Sequence, residues 1–263
     1  MSHWIEELAD YHQRDRACVL VTLVGIEGSS PREAGAKMIV SRESASGTLG
    51  GGTVEHIAQE RARELLAAGP DRTSGPLLEE FVLNDAIDQA CGGRMSLLFE
   101  PVWPAAFQIG LFGAGHVGQA LVKALADVPC RVHWVDSRAE VFPEQIPAVA
   151  SRIVADRPEE QVARLPDGAY VIAMTHSHEI DLEIVAAALT AGRFAFIGTI
   201  GSKTKRGRFR SQLRDRGLAP EAIERLVIPI GLPGVGGKRP AEIGISVAAQ
   251  LLQLREERDR QPA

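Results

Sequence analysis

The sequence lacks the features that direct a chain to membranes or nucleic acids. No apolar run reaches the ~20 residues that a membrane-spanning helix needs. The formal net charge is −5, so the chain also lacks the positive excess of a general nucleic-acid-binding protein. We therefore expect neither a membrane nor a nucleic acid among its partners.

Cysteine is scarce as well. The three cysteines, Cys18, Cys91 and Cys130, have no metal-finger spacing and cannot all pair with one another. The N-terminal stretch is polar and acidic, without the pattern of a signal peptide. Because these features are typical of a reducing compartment, we expect a cytoplasmic protein.

The motifs of several enzyme classes are also missing. The sequence contains no Walker motif, no HExxH zinc motif, no CxxC pair and no nucleophile elbow of a Ser-His-Asp hydrolase. It therefore offers no obvious catalytic machinery, and we assign no catalytic residue and no metal site.

Residues 107–118 (FQIGLFGAGHVG) are the pattern around which the chain is organised. The pattern predicts a buried strand and then a glycine-rich turn, and the residues that follow strongly favour a helix. Gly113 permits the tight turn, Gly115 lets a pyrophosphate approach the backbone, and Gly118 lets helix and strand pack closely. We include His116 among the ligand-binding residues, because the helix N-terminus offers free N–H groups to a phosphate.

A second strand, at residues 131–135, ends on Asp136, about 20 residues past the glycines, where a ribose-binding carboxylate belongs. Strand–helix alternation continues from there, and the WPAA stretch at residues 103–106 reads as a linker. We predict an α/β fold with a C-terminal Rossmann-like parallel-sheet domain at residues 105–263. A smaller N-terminal α/β domain should occupy residues 1–104.

Polar residues follow a third predicted strand, at residues 169–174. His176 and His178, with Asp181 nearby, should lie at the carboxyl edge of the sheet, where doubly wound folds bind ligands. The histidines could accept protons or contact a cofactor. Alternatively, Ser177 or His178 serves only as the polar cap of the helix that follows.

A basic cluster follows the strand predicted at residues 194–197. Ser202, Lys203 and Lys205 combine a hydroxyl and cations at a strand tip, which favours an anion site. The arginines further along this helix are typical of a solvated face. Residues 231–240 form a glycine-rich loop at another strand tip, either a crossover loop or a place where something bulky approaches the backbone.

The N-terminal part carries two further candidates. The GGG turn at residues 50–52 and the loop with Arg32, its only strong donor, could jointly accept an anion. Cys91 precedes two glycines that would leave its sulfur accessible, although a lone cysteine is more often buried and inert. Cys18 and Cys130 read as core residues.

Several of these blocks occur together in one order: EGSSPR at 27–32, GGGTVE at 50–55, CGG at 91–93, GAGHVG at 113–118, MTHSH at 174–178, IGSK at 200–203 and PIGLPG at 229–234. In that order they resemble the XdhC/CoxI family of accessory proteins for molybdenum hydroxylases. The resemblance covers nearly the whole chain.

The resemblance implies a function for the chain. Such proteins bind the molybdenum cofactor (molybdopterin) and hold it while a cysteine desulfurase installs its terminal sulfido ligand. They then insert it into apo xanthine dehydrogenase or a related molybdenum hydroxylase. Related members carry cysteine where this chain has Thr53, which leaves Cys91 as the sulfur-side residue. A phosphate on the pterin suits the glycine turn and the lysines, and we expect a homodimer.

Two other classes of function stay open at this point. An NAD(P)-dependent oxidoreductase would explain the glycines and Asp136 and would use the histidines as acid and base groups. It would leave the GGG turn unexplained. A Rossmann module that serves only as a protein-interaction scaffold is the third possibility.

Overall fold

The computed structural model describes residues 3–27, 33–70, 72–73, 75–82, 94–235 and 237–260. The chain folds into two compact units, Met1–Pro104 and Ala105–Ala263, called below the N-terminal unit and the C-terminal unit. Among the described residues, no helix combines the length and the apolar character needed to cross a membrane.

The N-terminal unit is a five-stranded antiparallel sheet, order β3-β2-β1-β5-β4, packed against a helix. The apolar residues of that helix recur at helical spacing, and they are buried because they face the sheet. The elements are α1 (His3–Gln13), β1 (Cys18–Glu27), β2 (Lys37–Val40), β3 (Ala45–Gly47), α2 (Gly52–Ala68), β4 (Leu77–Val82) and β5 (Arg94–Val102).

The C-terminal unit alternates strands and helices along most of its length. Its strands are β6 (Gln108–Phe112), β7 (Arg131–Asp136), β8 (Ala150–Val154), β9 (Tyr170–Ala173), β10 (Phe196–Thr199) and β11 (Leu226–Val227). Its helices are α3 (His116–Ala124), α4 (His178–Ala191), α5 (Lys203–Asp215), α6 (Pro220–Glu224) and α7 (Pro240–Asp259), with 3₁₀ turns at Ala139–Val141 and Pro158–Arg164.

All neighbouring strands of this second sheet run parallel, in the order β11-β10-β9-β6-β7-β8. Side chains alternate between its two faces. Tyr170 and Ile172 of β9 join the core cluster under α3 and α7, whereas Val171 and Ala173 join the cluster under α4 and α5. Helices therefore cover both faces, and this is the doubly wound Rossmann arrangement that the sequence predicts.

The cysteines of the described residues behave as core. Cys18 and Cys130 are buried and unpaired, and burial raises the pKa of each thiol to about 11. Both thiols therefore stay protonated at neutral pH and are poor nucleophiles. The reading of these two residues as structural is confirmed.

The strand predicted at residues 194–197 is shifted to Phe196–Thr199. The strand that precedes the loop of residues 231–240 ends at Val227, before Pro229. Pro229 has no N–H group, so it cannot donate to the ladder that a longer strand would need.

Candidate ligand site at the carboxyl edge of the parallel sheet

The glycine-rich turn and the histidine loop leave the sheet side by side. Strands β6 and β9 are neighbours, with Phe112 opposite Ala173, and Met174 N donates to Phe112 O at 2.8 Å. The order of the strands reverses between these two, which makes this the topological switch point. Ligands of open α/β sheets bind in the crevice outside such a point.

The glycine turn needs its first and last glycine for steric reasons. Gly113 has φ +121°, and a Cβ built there would lie 2.3 Å from Met174 O. A Cβ at Gly118 would lie 2.1 Å from Gly113 O, so helix α3 approaches the turn more closely than any side chain allows. Both glycines have the structural roles that the pattern predicts.

Two hydrogen bonds from the neighbouring strand β7 hold the glycine turn in place. Gly113 N donates to Val135 O at 2.8 Å, and Trp134 Nε1 donates to Gly113 O at 3.0 Å. Trp134 lies on β7 and is fully buried. This role of Trp134 is not predictable from the sequence, because an indole in an apolar strand gives no local signal of its hydrogen-bond partner.

Gly115 leaves the start of α3 open. It is the N-cap residue, and no described side chain caps the helix there. No described atom lies within 4 Å of a Cβ built on it. His116 follows it with an exposed side chain. The positive end of the α3 dipole therefore faces open space at the switch point, which suits a phosphate.

Asp136 lies at the tip of β7, as predicted, but its carboxylate is already occupied. Oδ2 accepts from Ala114 N at 2.8 Å and from Arg138 Nη2 at 3.1 Å. Oδ1 accepts from Arg138 N and Arg138 Nε, both at 3.0 Å. Burial by itself raises the pKa of Asp136, but the hydrogen bonds from Arg138 and Ala114 outweigh it and hold the pKa below its ordinary value. A ribose would have to displace Arg138.

The loop after β9 combines a helix cap with two exposed imidazoles. Ser177 Oγ accepts from Glu179 N at 3.2 Å and from Ile180 N at 3.5 Å, so the capping role is confirmed for Ser177. His176 and His178 are exposed and free to contact a ligand. The part of the chain that the structure describes contains no group of three or more His, Cys, Asp or Glu residues able to hold a metal ion.

Lys205 was expected to be an exposed cation that contacts a phosphate, and the structure shows a buried side chain instead. Its ammonium is buried and donates to Asp181 Oδ2 at 2.7 Å, to Thr199 Oγ1 at 3.1 Å and to Ile200 O at 2.8 Å. An ammonium has three N–H donors, so none remains for a phosphate. Asp181 Oδ1 in turn accepts from Thr175 N and Thr175 Oγ1, each at 2.8 Å. The pair therefore ties the tips of β9 and β10 together.

Ser202 and Lys203 begin helix α5 at the neighbouring strand tip. Ser202 Oγ caps the helix by accepting from Lys205 N at 3.3 Å. Lys203 is the first residue of the helix, and its side chain is exposed. A phosphate contact stays a prediction for these two residues, with Lys203 as the available cation.

Of the candidates in the N-terminal unit, only the GGG turn lies within the described residues. Arg32 and Cys91 lie outside the described residues. Gly50, Gly51 and Gly52 all have positive φ, and the turn they form is closed by the chain itself. Glu55 Oε2 accepts from Leu49 N and Gly51 N, each at 3.0 Å, and from Thr48 Oγ1 at 2.6 Å. An internal carboxylate thus occupies the donors that were expected to receive an external anion.

The fold is that of a two-unit α/β protein whose C-terminal unit has the Rossmann arrangement. The model of the XdhC Rossmann domain matches residues 109–251, more than half of the chain. The model of the XdhC and CoxI family matches residues 11–82. The chain therefore belongs to the XdhC and CoxI family.

Two curated relatives are similar to the chain. The chain is 30% identical to the uncharacterized protein YqeB of Escherichia coli strain K12, over 95% of the chain and 46% of YqeB. It is 29% identical to a Bacillus subtilis strain 168 protein named as a probable xanthine dehydrogenase subunit, over 56% of the chain and 42% of that protein. The chain thus spans less than half the length of these curated relatives.

A solved structure has the same fold. The crystal structure of a Bacillus halodurans protein described as a xanthine dehydrogenase superposes with a TM-score of 0.52 and 22% sequence identity. The match covers 98% of this chain and 97% of that one. At this identity the likeness concerns the fold alone.

Proposed function

We propose that this protein is a carrier of the molybdenum cofactor that serves the maturation of xanthine dehydrogenase or a related molybdenum hydroxylase. The observation that carries the proposal is the uncapped start of α3, beside the open space at Gly115, at the switch point of a chain of this family. One relative is named a probable xanthine dehydrogenase subunit, which supports the choice of client.

The cargo would be held by its phosphate and by exposed polar side chains. The first-turn N–H groups of α3 would receive the phosphate, and Lys203 would add a charge-assisted contact. Three exposed histidines would donate or accept hydrogen bonds around the pterin. They are His116 at the start of α3, and His176 and His178 in the loop after β9. These contacts are all non-covalent, as a carrier that must release its cargo requires.

The later steps involve partners. A cysteine desulfurase would supply the sulfur while the carrier holds the cofactor, with Cys91 as the proposed residue on the sulfur side. The sulfurated cofactor would then pass to the apo-hydroxylase in the cytoplasm. In this proposal the protein is a maturation factor, not an enzyme, and it acts as a homodimer.

The state of Asp136 argues against NAD as the ligand. Both oxygens of its carboxylate are already engaged, mostly by Arg138, which lies where a ribose would bind. A ribose hydroxyl is a neutral donor, so it would replace the cationic Arg138 and leave that guanidinium without its carboxylate partner. A ligand that presents only a phosphate to the glycine turn leaves the Asp136–Arg138 pair intact.

Protein purified from molybdate-fed cells that synthesise the cofactor should retain pterin after ultrafiltration. The pterin can be oxidised to its fluorescent Form A derivative and quantified against protein concentration. Bound nicotinamide dinucleotide should be measured on the same sample. Stoichiometric NAD(P) without pterin would overturn the proposal in favour of an oxidoreductase.

Replacing Lys203 by alanine should weaken cofactor retention by about 1.5–3 kcal/mol, a factor of roughly 10 to 150, because it removes a charge-assisted contact to phosphate. Stability should barely change, since the side chain is exposed. Lys123→Ala is the matched control, because it removes the same charge from an exposed position at the far end of α3. Equal affinities for both variants would exclude Lys203 from the site.

A further inference from the structure

A second cavity lies at the outer end of the carboxyl edge, away from the switch point. It has a volume of about 580 Å³, and it is formed by β11, the chain that follows it and one side of α5. Strand β11 is three strands from β6. At ~4.8 Å per strand spacing, β11 lies ~14 Å from β6 along the sheet. The lining of the cavity includes no residue of the glycine turn or of the histidine loop.

Two arginines supply the charge of this cavity. Arg206 and Arg210 are four residues apart on α5, so they lie on one side of the helix, and both line the cavity. Within the described residues, neither side chain forms an ion pair or a hydrogen bond. Arg210 was expected on a solvated face of the helix, but both arginines are half-buried against the cavity.

The guanidinium of Arg210 has a buried N–H group to which no acceptor among the described residues is bonded. That group is its Nε. A buried donor without a partner is costly, and a small shift toward an anion would relieve that cost. Glu224 is the one carboxylate among the lining residues. It is exposed and pairs with neither arginine, so the lining keeps a net positive charge.

The rest of the wall is apolar and firmly held. Ile228 and Ile230 are buried, and Leu232, Pro233 and Val235 continue the wall into the glycine-rich loop. Leu232 N donates to Ser246 Oγ at 2.9 Å, which anchors this loop to α7. A volume of this size, lined by apolar side chains beside charged and polar groups, lies within the range of small-molecule sites.

We propose that this cavity binds a small organic anion whose carboxylate or phosphate group pairs with Arg206 and Arg210. The apolar part of the ligand packs on Leu232, Pro233 and Val235. Carboxylate and phosphate present the same pair of oxygens to a guanidinium, and that pairing is the chemistry the cavity selects. This site does not depend on the function proposed above, because it shares no residue with the switch point.

The test is calorimetric titration of the full chain with hexanoate and hexyl phosphate, alongside acetate and inorganic phosphate. Saturable binding of one hexyl compound, at least tenfold tighter than its short analogue, is the expected result. The compound that binds identifies the head group. Val235→Ser should reduce this preference for the hexyl chain, because it removes apolar surface from the wall.

Charge variants decide whether the arginines form the site. Arg210→Gln and Arg206→Gln should each weaken binding of the preferred compound by about tenfold. Arg208→Gln removes the same charge from an exposed position between them, and it should change the affinity less than twofold. Absence of saturable binding in the wild type would overturn the proposal, as would an equal loss in Arg208→Gln and Arg210→Gln. Since none of these arginine side chains has a polar partner among the described residues, thermal unfolding should match the wild type.

Discussion

Replacing Lys205 by methionine should lower the free energy of unfolding of the C-terminal unit by about 3–5 kcal/mol. Lys205 and Asp181 have side chains that are 7% and 1% exposed, and their charged atoms lie 2.7 Å apart. Without the ammonium, the carboxylate of Asp181 is left buried and uncompensated. A denaturant titration followed by far-UV circular dichroism measures the loss.

Further variants test the cause of this loss. Lys203→Met makes the same chemical change two residues earlier on the exposed side of α5, and it should cost less than about 0.5 kcal/mol. Asp181→Asn combined with Lys205→Met removes both charges. The double variant should be more stable than Lys205→Met alone, because it contains no unpaired buried charge. The single variant Asp181→Asn completes the cycle; if the losses of Asp181→Asn and Lys205→Met simply add in the double variant, the ion pair is not what stabilises the unit.

The same pair also positions part of the candidate site. Asp181 accepts hydrogen bonds from Thr175, which directly precedes His176, and Lys205 bonds to the end of β10. The two strand tips that carry the histidines and Lys203 are thus fixed to each other through one buried contact. Lys205 therefore acts as a positioning residue that orders these loops, and the exposed Lys203 is left to contact the ligand.

The parts of the site that were predictable follow from local rules. Each of these roles depends on residues that are close together in the sequence. A tight turn requires glycine, close packing of a helix start on that turn requires a second glycine, and a serine just before a helix is a common cap. Gly113, Gly118 and Ser177 therefore have the structural roles that their patterns predict. The order of motifs along the chain was also sufficient to identify the family.

The parts that were not predictable depend on which internal partner each charged side chain takes in the folded chain. Charge alone predicts an exposed Lys205, and only the folded chain shows that Asp181, 24 residues away, provides a buried partner. Glu55 fills its own glycine turn, although the composition of that turn suggests an open anion site. Arg138 pairs with Asp136 from only two residues away. The sequence does not show this pairing, because the choice between a paired and a free carboxylate depends on burial.

Substituting alanine at Gly113 and at Gly115 should separate folding from binding. Gly113→Ala adds a Cβ at φ +121° and within 2.3 Å of Met174 O, a backbone atom that cannot move away because Met174 N is bonded to Phe112 O. Strain and overpacking together should destabilise the unit by about 3 kcal/mol or more. The melting temperature should fall, and cofactor should be lost with the fold.

Gly115→Ala should have the opposite profile. Gly115 has φ −69°, which alanine adopts without strain, and no described atom lies near the added methyl group. The melting temperature should therefore stay within a degree or two of the wild type, since a surface substitution without strain changes stability by less than about 0.5 kcal/mol. The methyl group would, however, stand where a phosphate must approach the N–H groups of α3, so cofactor retention should fall at least tenfold. A Gly115→Ala protein that folds normally and retains cofactor like the wild type would show that the phosphate does not bind at this turn.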